Sequence, residues 1–391
     1  MKIGSNIWKL FCIRAIRWFL LIMPIITVFY TTHGLSLHEI FLIQAIFSIS
    51  VVLFEIPTGY FADVMGRRKS IIVGLILGAL GMGVYCLATG FYGFLLAEIT
   101  LGLGSSFLSG ADTALLYDTL LDEDRVDENK KIQGYFQSIA SGSEAFAAIC
   151  GGLLASISLS LPFSVQFLLL LFSIPLGFLL SEPKHHKLQN HDGIWKGIVG
   201  IVKYSLHDHK EVKWLILFSG VFGASTLVMT WMLQLYFTQV GVPIAYFGIL
   251  WSVFTLSLVP FSLLAHVIEK KLGMRNSFFL LAFLPLFGYF MLGIFHSLFA
   301  LVFVFCFYMA RGFGSVILID YINHRISSEI RATVLSVQAL AFRMVFVIIG
   351  PIVGWVSDLY SLQTALLFSA GLFSFLFLIP LLFLQKYRVI S

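Results

Sequence analysis

The sequence predicts an all-α integral membrane protein of twelve transmembrane helices, arranged as two pseudo-symmetric six-helix bundles. Three observations predict it. Over 391 residues the chain is 59% hydrophobic and only 12% charged, with a mean hydropathy of +0.95. A soluble domain carries about 25% charge, so an ordinary globular fold is excluded. Twelve predominantly apolar runs follow one another, each near the ~20 residues that span a bilayer. The two halves also repeat: Ala62-Asp63 aligns with Ala265-His266, Asp118 with Asp320, Gln137 with Gln338 and Gly151 with Gly354, at offsets of 201 to 203.

In chain order the predicted helices cover 14–32, 39–61, 70–89, 91–117, 132–157, 162–181, 213–237, 244–268, 277–295, 298–320, 332–356 and 361–384. All of the 25 Lys and Arg except Arg311 and Arg343 then fall at one end of the helices. The positive-inside rule makes that end, and both termini, cytoplasmic. The net charge of +5 follows from this topology and gives no nucleic-acid signal. The turns at the other end are short. The longest loop, 182–212, divides an N-terminal bundle, 1–181, from a C-terminal one, 213–391. Within the loop Ile194, Ile198, Ile201 and Val202 recur at helical spacing, which predicts an amphipathic helix along the membrane surface. The loop histidines, His185, His186, His191, His207 and His209, fit no ligand spacing. Cys12, Cys86, Cys150 and Cys306 lie in apolar runs without C-x-x-C spacing. No metal, cofactor or disulfide is expected. Gly74, Gly78 and Gly81 sit in an apolar helix with no preceding strand and read as a close-packing face.

The densest charge beside an apolar run is Gly59-Tyr60-Phe61-Ala62-Asp63-Val64-Met65-Gly66-Arg67-Arg68-Lys69. Asp63 and Arg67 are four residues apart, a spacing that brings side chains together on a helix. The stretch resembles the loop between the second and third helices of the major facilitator superfamily, G-x-x-x-D-x-x-G-R-R-K, with every fixed position filled. The second copy, Leu264 to Gly273, keeps cations but has His266 in place of the aspartate. The resemblance implies two parallel six-helix repeats with a substrate site near the bilayer midplane. It also implies a conformational latch of Asp63, Gly66, Arg67 and Arg68, with Asp118 as the acid that pairs with the turn's arginines. Drug exporters of the superfamily carry A-R-x-x-Q-G-x-G in helix four; here Ala97-Glu98-Ile99-Thr100-Leu101-Gly102-Leu103-Gly104 puts Glu98 where they have arginine. The Gly-Pro of the antiporter helix five is missing at Ala147-Ala148 and stands instead at Gly350-Pro351.

Charges inside the membrane cost about 2.5–3.5 kcal/mol each on insertion scales and point to function. Proton coupling needs a carboxylate that can gain and lose a proton. Glu144 is the first candidate by depth, then Glu98, then Glu55. Asp112 reads as a structural carboxylate near the basic turns. Substrate-binding candidates are Arg343 and Arg311, whose forks suit a carboxylate or phosphate, with Glu144 and the aromatic Trp231, Tyr236 and Trp251. No nucleotide-binding G-x-x-x-x-G-K-[ST] is present. The sequence therefore reads as a secondary active transporter of a small organic solute in the bacterial inner membrane, monomeric and proton-coupled, and first of all a multidrug-like exporter. The alternative is import or export of an anionic metabolite such as a carboxylate siderophore, favoured by the two arginines. A membrane-embedded enzyme acting on a lipid-linked substrate would need a catalytic constellation that the sequence does not offer. A non-transporting receptor or scaffold fits poorly with duplicated halves carrying intramembrane carboxylates.

Overall fold

A computed structural model describes residues 5–183, 209–327 and 330–390. The expected amphipathic helix and the loop histidines other than His209 lie outside the described residues. The helices are α1 (Ser5–Arg17), α2 (Ile26–Thr32), α3 (Leu37–Met65), α4 (Arg67–Leu87), α5 (Gly90–Leu108), α6 (Ala111–Asp122), α7 (Asn129–Ile157) and α8 (Leu161–Phe178). They continue as α9 (Lys210–Gln239), α10 (Phe247–Leu263), α11 (Ala265–Ile294), α12 (Val304–Asn323), α13 (Arg331–Leu359) and α14 (Leu362–Lys386). Among the described residues 11 spans are long and apolar enough to cross a membrane. The twelfth crossing is the first run, which is broken.

That break corrects the expectation of one helix over 14–32. Pro24 has no N–H, and its ring collides with the carbonyl one turn earlier, so the run divides into α1 and α2. Apolar surroundings make exposed backbone groups costly. The N–H of Leu21 donates to Oε1 of Gln166 at 2.9 Å, and Gln166 is itself buried on α8. Gly151 on α7 allows the approach: a Cβ there would lie 1.9 Å from the Leu21 carbonyl oxygen. The expected run 91–117 is also divided, at Gly110, whose φ of 74° is left-handed.

Gly66 alone separates α3 from α4, with φ 102°. Its counterpart Gly273, inside α11, has φ 74°. The two glycines are 207 residues apart against 203 for Ala62 and Ala265, so the second copy carries about one extra helical turn. The repeat is thus visible in the backbone as well as in the side chains.

The chain forms two compact units. The first comprises Met1–Leu35, Ile46–Asn190 and Pro243–Ser252. Its core includes Ile7, Leu10, Leu75, Leu115, Leu120 and Phe136. Helices α4 and α5 meet through glycine: a Cβ at Gly104 would lie 3.0 Å from the Gly78 nitrogen and 3.1 Å from the Gly74 oxygen. Small residues let helix backbones approach where apolar burial alone gives no drive. At Pro243–Ser252 the same logic holds: a Cβ at Gly248 would lie 1.8 Å from the Ala148 carbonyl of α7, and Ser252 donates to the Ala145 carbonyl at 2.8 Å.

The second unit comprises Ser36–Ala45, His191–Val242 and Val253–Ser391. Trp214 of α9 stacks on Phe383 of α14 with ring centroids 4.0 Å apart. The Tyr289 hydroxyl of α11 donates to the Ser225 carbonyl at 2.6 Å. At the start of α3 the carboxylate of Asp358, on α13, accepts the N–H groups of Leu37 at 2.9 Å and His38 at 2.7 Å. Two donors that begin a helix without intrahelical partners are thereby satisfied, and the anion sits at the positive end of the helix dipole. Gly354 makes room, since a Cβ there would lie 2.7 Å from Cα of His38.

Gly151→Ala is expected to cost about 1–3 kcal/mol through overpacking against the broken first span. Gly142→Ala on the same helix, where a Cβ meets nothing within 4 Å, should not lower stability. Thermal unfolding of the two purified variants in one detergent checks the difference.

Candidate functional site

Four clusters of polar groups stand out against the apolar helices. The first is the charged turn. The Arg67 guanidinium pairs with the Asp118 carboxylate of α6. Glu182, just beyond α8, accepts the backbone N–H groups of Arg67 at 2.8 Å and Arg68 at 2.9 Å. Arg68 donates through Nη2 to the Phe178 carbonyl at 2.7 Å. Gly66 is required by its left-handed φ and by the Glu182 carboxyl, whose Cδ would lie 3.0 Å from a Cβ. The structure thus brings Gly66, Arg67, Arg68 and Asp118 together and adds Glu182, which the sequence reading missed. Asp63 lies three residues before Gly66, in the last turn of α3.

The second cluster is centred on Asp112 at the start of α6. Its Oδ2 accepts from Arg14 at 3.0 Å and Arg17 at 3.4 Å, both on α1. Arg14 also donates to Gln137 at 3.3 Å and lies over the Phe136 ring at 4.6 Å. Asp112 therefore pairs with helix-one arginines rather than with the charged turn. In the sequence those arginines register only as topology signals.

The third cluster lies at the opposite end of the first unit. Glu98 of α5 is 6% exposed. Its Oε1 accepts from the Tyr85 hydroxyl at 2.6 Å and the Tyr30 hydroxyl at 3.1 Å, and the two hydroxyls also meet each other. Phe94 stands edge-on to Tyr30, Phe29 and His33, and Phe163 stacks on Phe29. Aromatic walls exclude water and strengthen every hydrogen bond inside them. Tyr30 and Tyr85 were not foreseen, because a tyrosine in an apolar run looks like an interfacial anchor.

The fourth feature is a cavity of about 410 Å³ wholly within the second unit, with Ser219, Phe222, Thr226, Arg311, Gln338 and Phe342 in its wall. Arg311, on α12, has its guanidinium 5.7 Å from the Tyr308 ring centroid. Gln338, a landmark of the repeat, also lines this cavity; the sequence reading did not single it out as a candidate.

The remaining candidates are spread out. Glu144 is half-buried on α7, and Arg343 is half-buried on α13; neither lines this cavity. Glu55 is exposed and accepts from Ser109 at 3.4 Å. Trp231, Tyr236 and Trp251 do not line this cavity. All three are buried, and the Tyr236 hydroxyl is taken by the Phe295 carbonyl at 2.6 Å. Periodicity places these rings on a buried face, and that face packs against neighbouring helices.

Helices of this length and apolarity, repeated about two units, define a multi-pass membrane protein. The family model of the Major Facilitator Superfamily matches residues 10–351. The chain belongs to that superfamily. Multidrug resistance protein 2 of Bacillus subtilis (strain 168) is 26% identical over 210 residues, covering 52% of this chain and 51% of that protein. Quinolone resistance protein NorA of Staphylococcus aureus (strain MRSA252) is 24% identical over 143 residues, 37% of this chain and 36% of that one. The chain thus spans about half the length of the first relative and about a third of the second. In fold it is similar to the nucleoside transporter NupG, with a TM-score of 0.82 at 15% identity over 98% of this chain and 100% of that one. It is also similar to a bacterial homolog of the lysosomal transporter Spinster, with a TM-score of 0.75 at 15% identity over 97% and 95% of the two chains.

Asp112→Asn leaves Arg14 and Arg17 without their charge partner in a mostly buried setting. The expected loss is about 3 kcal/mol, the scale for breaking a buried ion pair by removing one member. Chemical denaturation of the purified protein, compared with Glu55→Gln at its exposed site, measures it.

Proposed function

We propose that the protein is a proton-coupled exporter of small amphipathic organic solutes, working as a monomer in the bacterial inner membrane with both termini cytoplasmic. The resistance proteins among its relatives support export of such solutes. The Lys and Arg distribution supports the orientation. The observation that carries the coupling is the buried Glu98 cluster.

Proton counting supports Glu98 over Glu144 as the coupling carboxylate. Glu98, Tyr30 and Tyr85 make three oxygen–oxygen contacts with one another. With Glu98 ionised, the two tyrosines supply two hydroxyl protons for those three contacts. One contact is then left as oxygen facing oxygen. A proton on Glu98 turns the carboxylate into a donor as well as an acceptor. Tyr30 then donates to Tyr85, Tyr85 to Glu98, and Glu98 to Tyr30, closing the ring. Protonated and ionised forms therefore favour different arrangements of α2, α4 and α5, which carry these three groups. A binding event can drive a conformational change only through such a difference between states. The second reading, transport of an anionic metabolite, is favoured by Arg311 in the cavity of the second unit.

Glu98→Gln is expected to abolish concentration of substrate driven by a pH gradient in proteoliposomes while leaving downhill exchange intact. An amphipathic cation, ethidium, and an amphipathic anion, 2-naphthoate, serve as the first probes. Retained uphill transport in Glu98→Gln moves the coupling site to another carboxylate, with Glu144→Gln as the next variant.

The pair Arg67–Asp118 is proposed as the latch that holds one conformational state. Arg67→Ala, Asp118→Asn and the double variant should show non-additive losses of transport, with a coupling of about 0.5–3 kcal/mol, at wild-type levels of membrane insertion. Additive losses would remove the latch role.

A further inference from the structure

We infer that the cavity in the second unit is an anion-selective subsite, taking the carboxylate of an amphipathic solute at Arg311. The inference deepens the transport reading by naming the chemical class of the solute, and it rests on three polar groups that share one wall.

Among the described residues Arg311 is the only charged one in that wall. Among the described residues its guanidinium makes no ion pair and meets only the Tyr308 ring. A cation on an aromatic face is attracted by the ring quadrupole, but the ring satisfies none of the guanidinium's N–H donors. The second group is Ser219 of α9, 5% exposed, whose Oγ is buried with no hydrogen-bond partner among the described residues. A buried hydroxyl left without a partner costs about 1–3 kcal/mol, and this one belongs to the wall of the same cavity. The third is Gln338 of α13, half-buried, an amide with both donor and acceptor capacity.

The other hydroxyls on the wall are occupied. Thr226 donates to the Gly223 carbonyl at 3.0 Å and Ser315 to the Gly312 carbonyl at 2.9 Å. The free capacity is therefore concentrated at Arg311, Ser219 and Gln338. Phe222 and Phe342 supply apolar wall. Glycine sets the shape: a Cβ at Gly223 would lie 2.7 Å from the Phe342 ring, and one at Gly314 would lie 2.7 Å from the Phe222 ring.

Three ligand charges compete. A cationic solute would enter a wall whose single charge repels it. A neutral solute would bury Arg311 further without neutralising it, which is costly. A carboxylate accepts both parallel N–H groups of the fork and leaves an oxygen for the Ser219 hydroxyl or the Gln338 amide. The apolar remainder of such a solute lies against the phenylalanines. A volume of about 410 Å³ is within the ~300–1,000 Å³ of ordinary small-molecule sites.

The test uses the purified full-length protein in detergent and three probes with one ring system: 2-naphthoate, 2-naphthamide and 2-naphthylmethylammonium. Isothermal titration is expected to rank naphthoate tightest, by about tenfold or more over the amide. Arg311→Gln should erase that preference, and Arg311→Lys, which keeps the charge and loses the fork, should reduce it. Ser219→Ala should weaken naphthoate more than naphthamide. The idea is overturned if wild-type protein binds the amide or the ammonium as tightly as naphthoate, or fails to bind naphthoate at millimolar concentration. Arg311→Gln retaining the preference overturns it as well. The wild-type ranking decides even if a variant misfolds. Phosphatidylglycerol added to the micelles should leave naphthoate binding unchanged; stoichiometric displacement would assign the site to a lipid headgroup and overturn the small-solute assignment. Naphthoate flux in proteoliposomes separates the two levels of the argument. Selective binding without flux counts against transport of this class and leaves the subsite standing. Flux without carboxylate preference does the reverse.

Discussion

Inside a bilayer a backbone N–H or C=O finds no water, and each one left unpaired costs several kcal/mol. The rest of this structure depends on how that constraint is met where helices stop and start. Regular helix meets it automatically. The breaks need side chains, and the chain uses the same device three times. Gln166 takes the Leu21 N–H in the broken first span. Glu182 takes two N–H groups where α4 begins, and Asp358 takes two where α3 begins. In each case the acceptor comes from more than 100 residues away in the chain, so local irregularity is held by tertiary packing. Glycine supplies the clearance at each point: Gly151 and Gly354 face the segment being capped, and Gly66 faces the capping Glu182.

Charge obeys a similar rule. Asp112 and Asp118 are nearly buried, and each has arginine partners in its own unit. Their burial is offset within the fold, and they are built for holding helices together. Among the described residues Arg311 is offset only by a ring face. A cation kept at membrane depth without an acid partner raises the energy of the empty site, and a ligand that supplies the negative charge recovers that energy on binding. Glu98 stands between these cases: its carboxylate meets the Tyr30 and Tyr85 hydroxyls, and in the proposed coupling role that contact changes with its protonation. Structural pairs, the proposed ligand site and the proposed proton site thus differ in how far the fold itself completes the electrostatics.

Much of the fold was legible in the sequence because apolar length and cation placement are local signals. The repeat was legible too, through Asp118 and Asp320 or Gly151 and Gly354, and the left-handed Gly66 and Gly273 give it a backbone counterpart. The Arg67–Asp118 pair could be anticipated from the motif that surrounds Arg67. What the sequence hid was partnership across helices. Nothing near Asp112 in the chain indicates that Arg14 and Arg17 reach it from 98 and 95 residues away. Depth along a helix ranked Glu144 above Glu98, but depth says nothing of which way a residue faces, and Glu98 is the one enclosed by tyrosines. Pro24 was the missed local signal; it lies in a run apolar enough to mask the helix break.

The cap on α3 also bears on the order in which the molecule is made. Its acceptor, Asp358, lies 320 residues after His38. Ribosomes add about 5–20 residues per second, so the start of α3 waits roughly 15–65 s for the carboxylate that will complete it. During that interval the Leu37 and His38 N–H groups must be served by water or lipid headgroups, while the Glu39 N–H has the Ser36 hydroxyl close at hand. By contrast Gln166 follows Leu21 by only 145 residues. The first unit can therefore settle its broken helix well before synthesis ends, while the segment 36–45 is among the last parts of the molecule to lock.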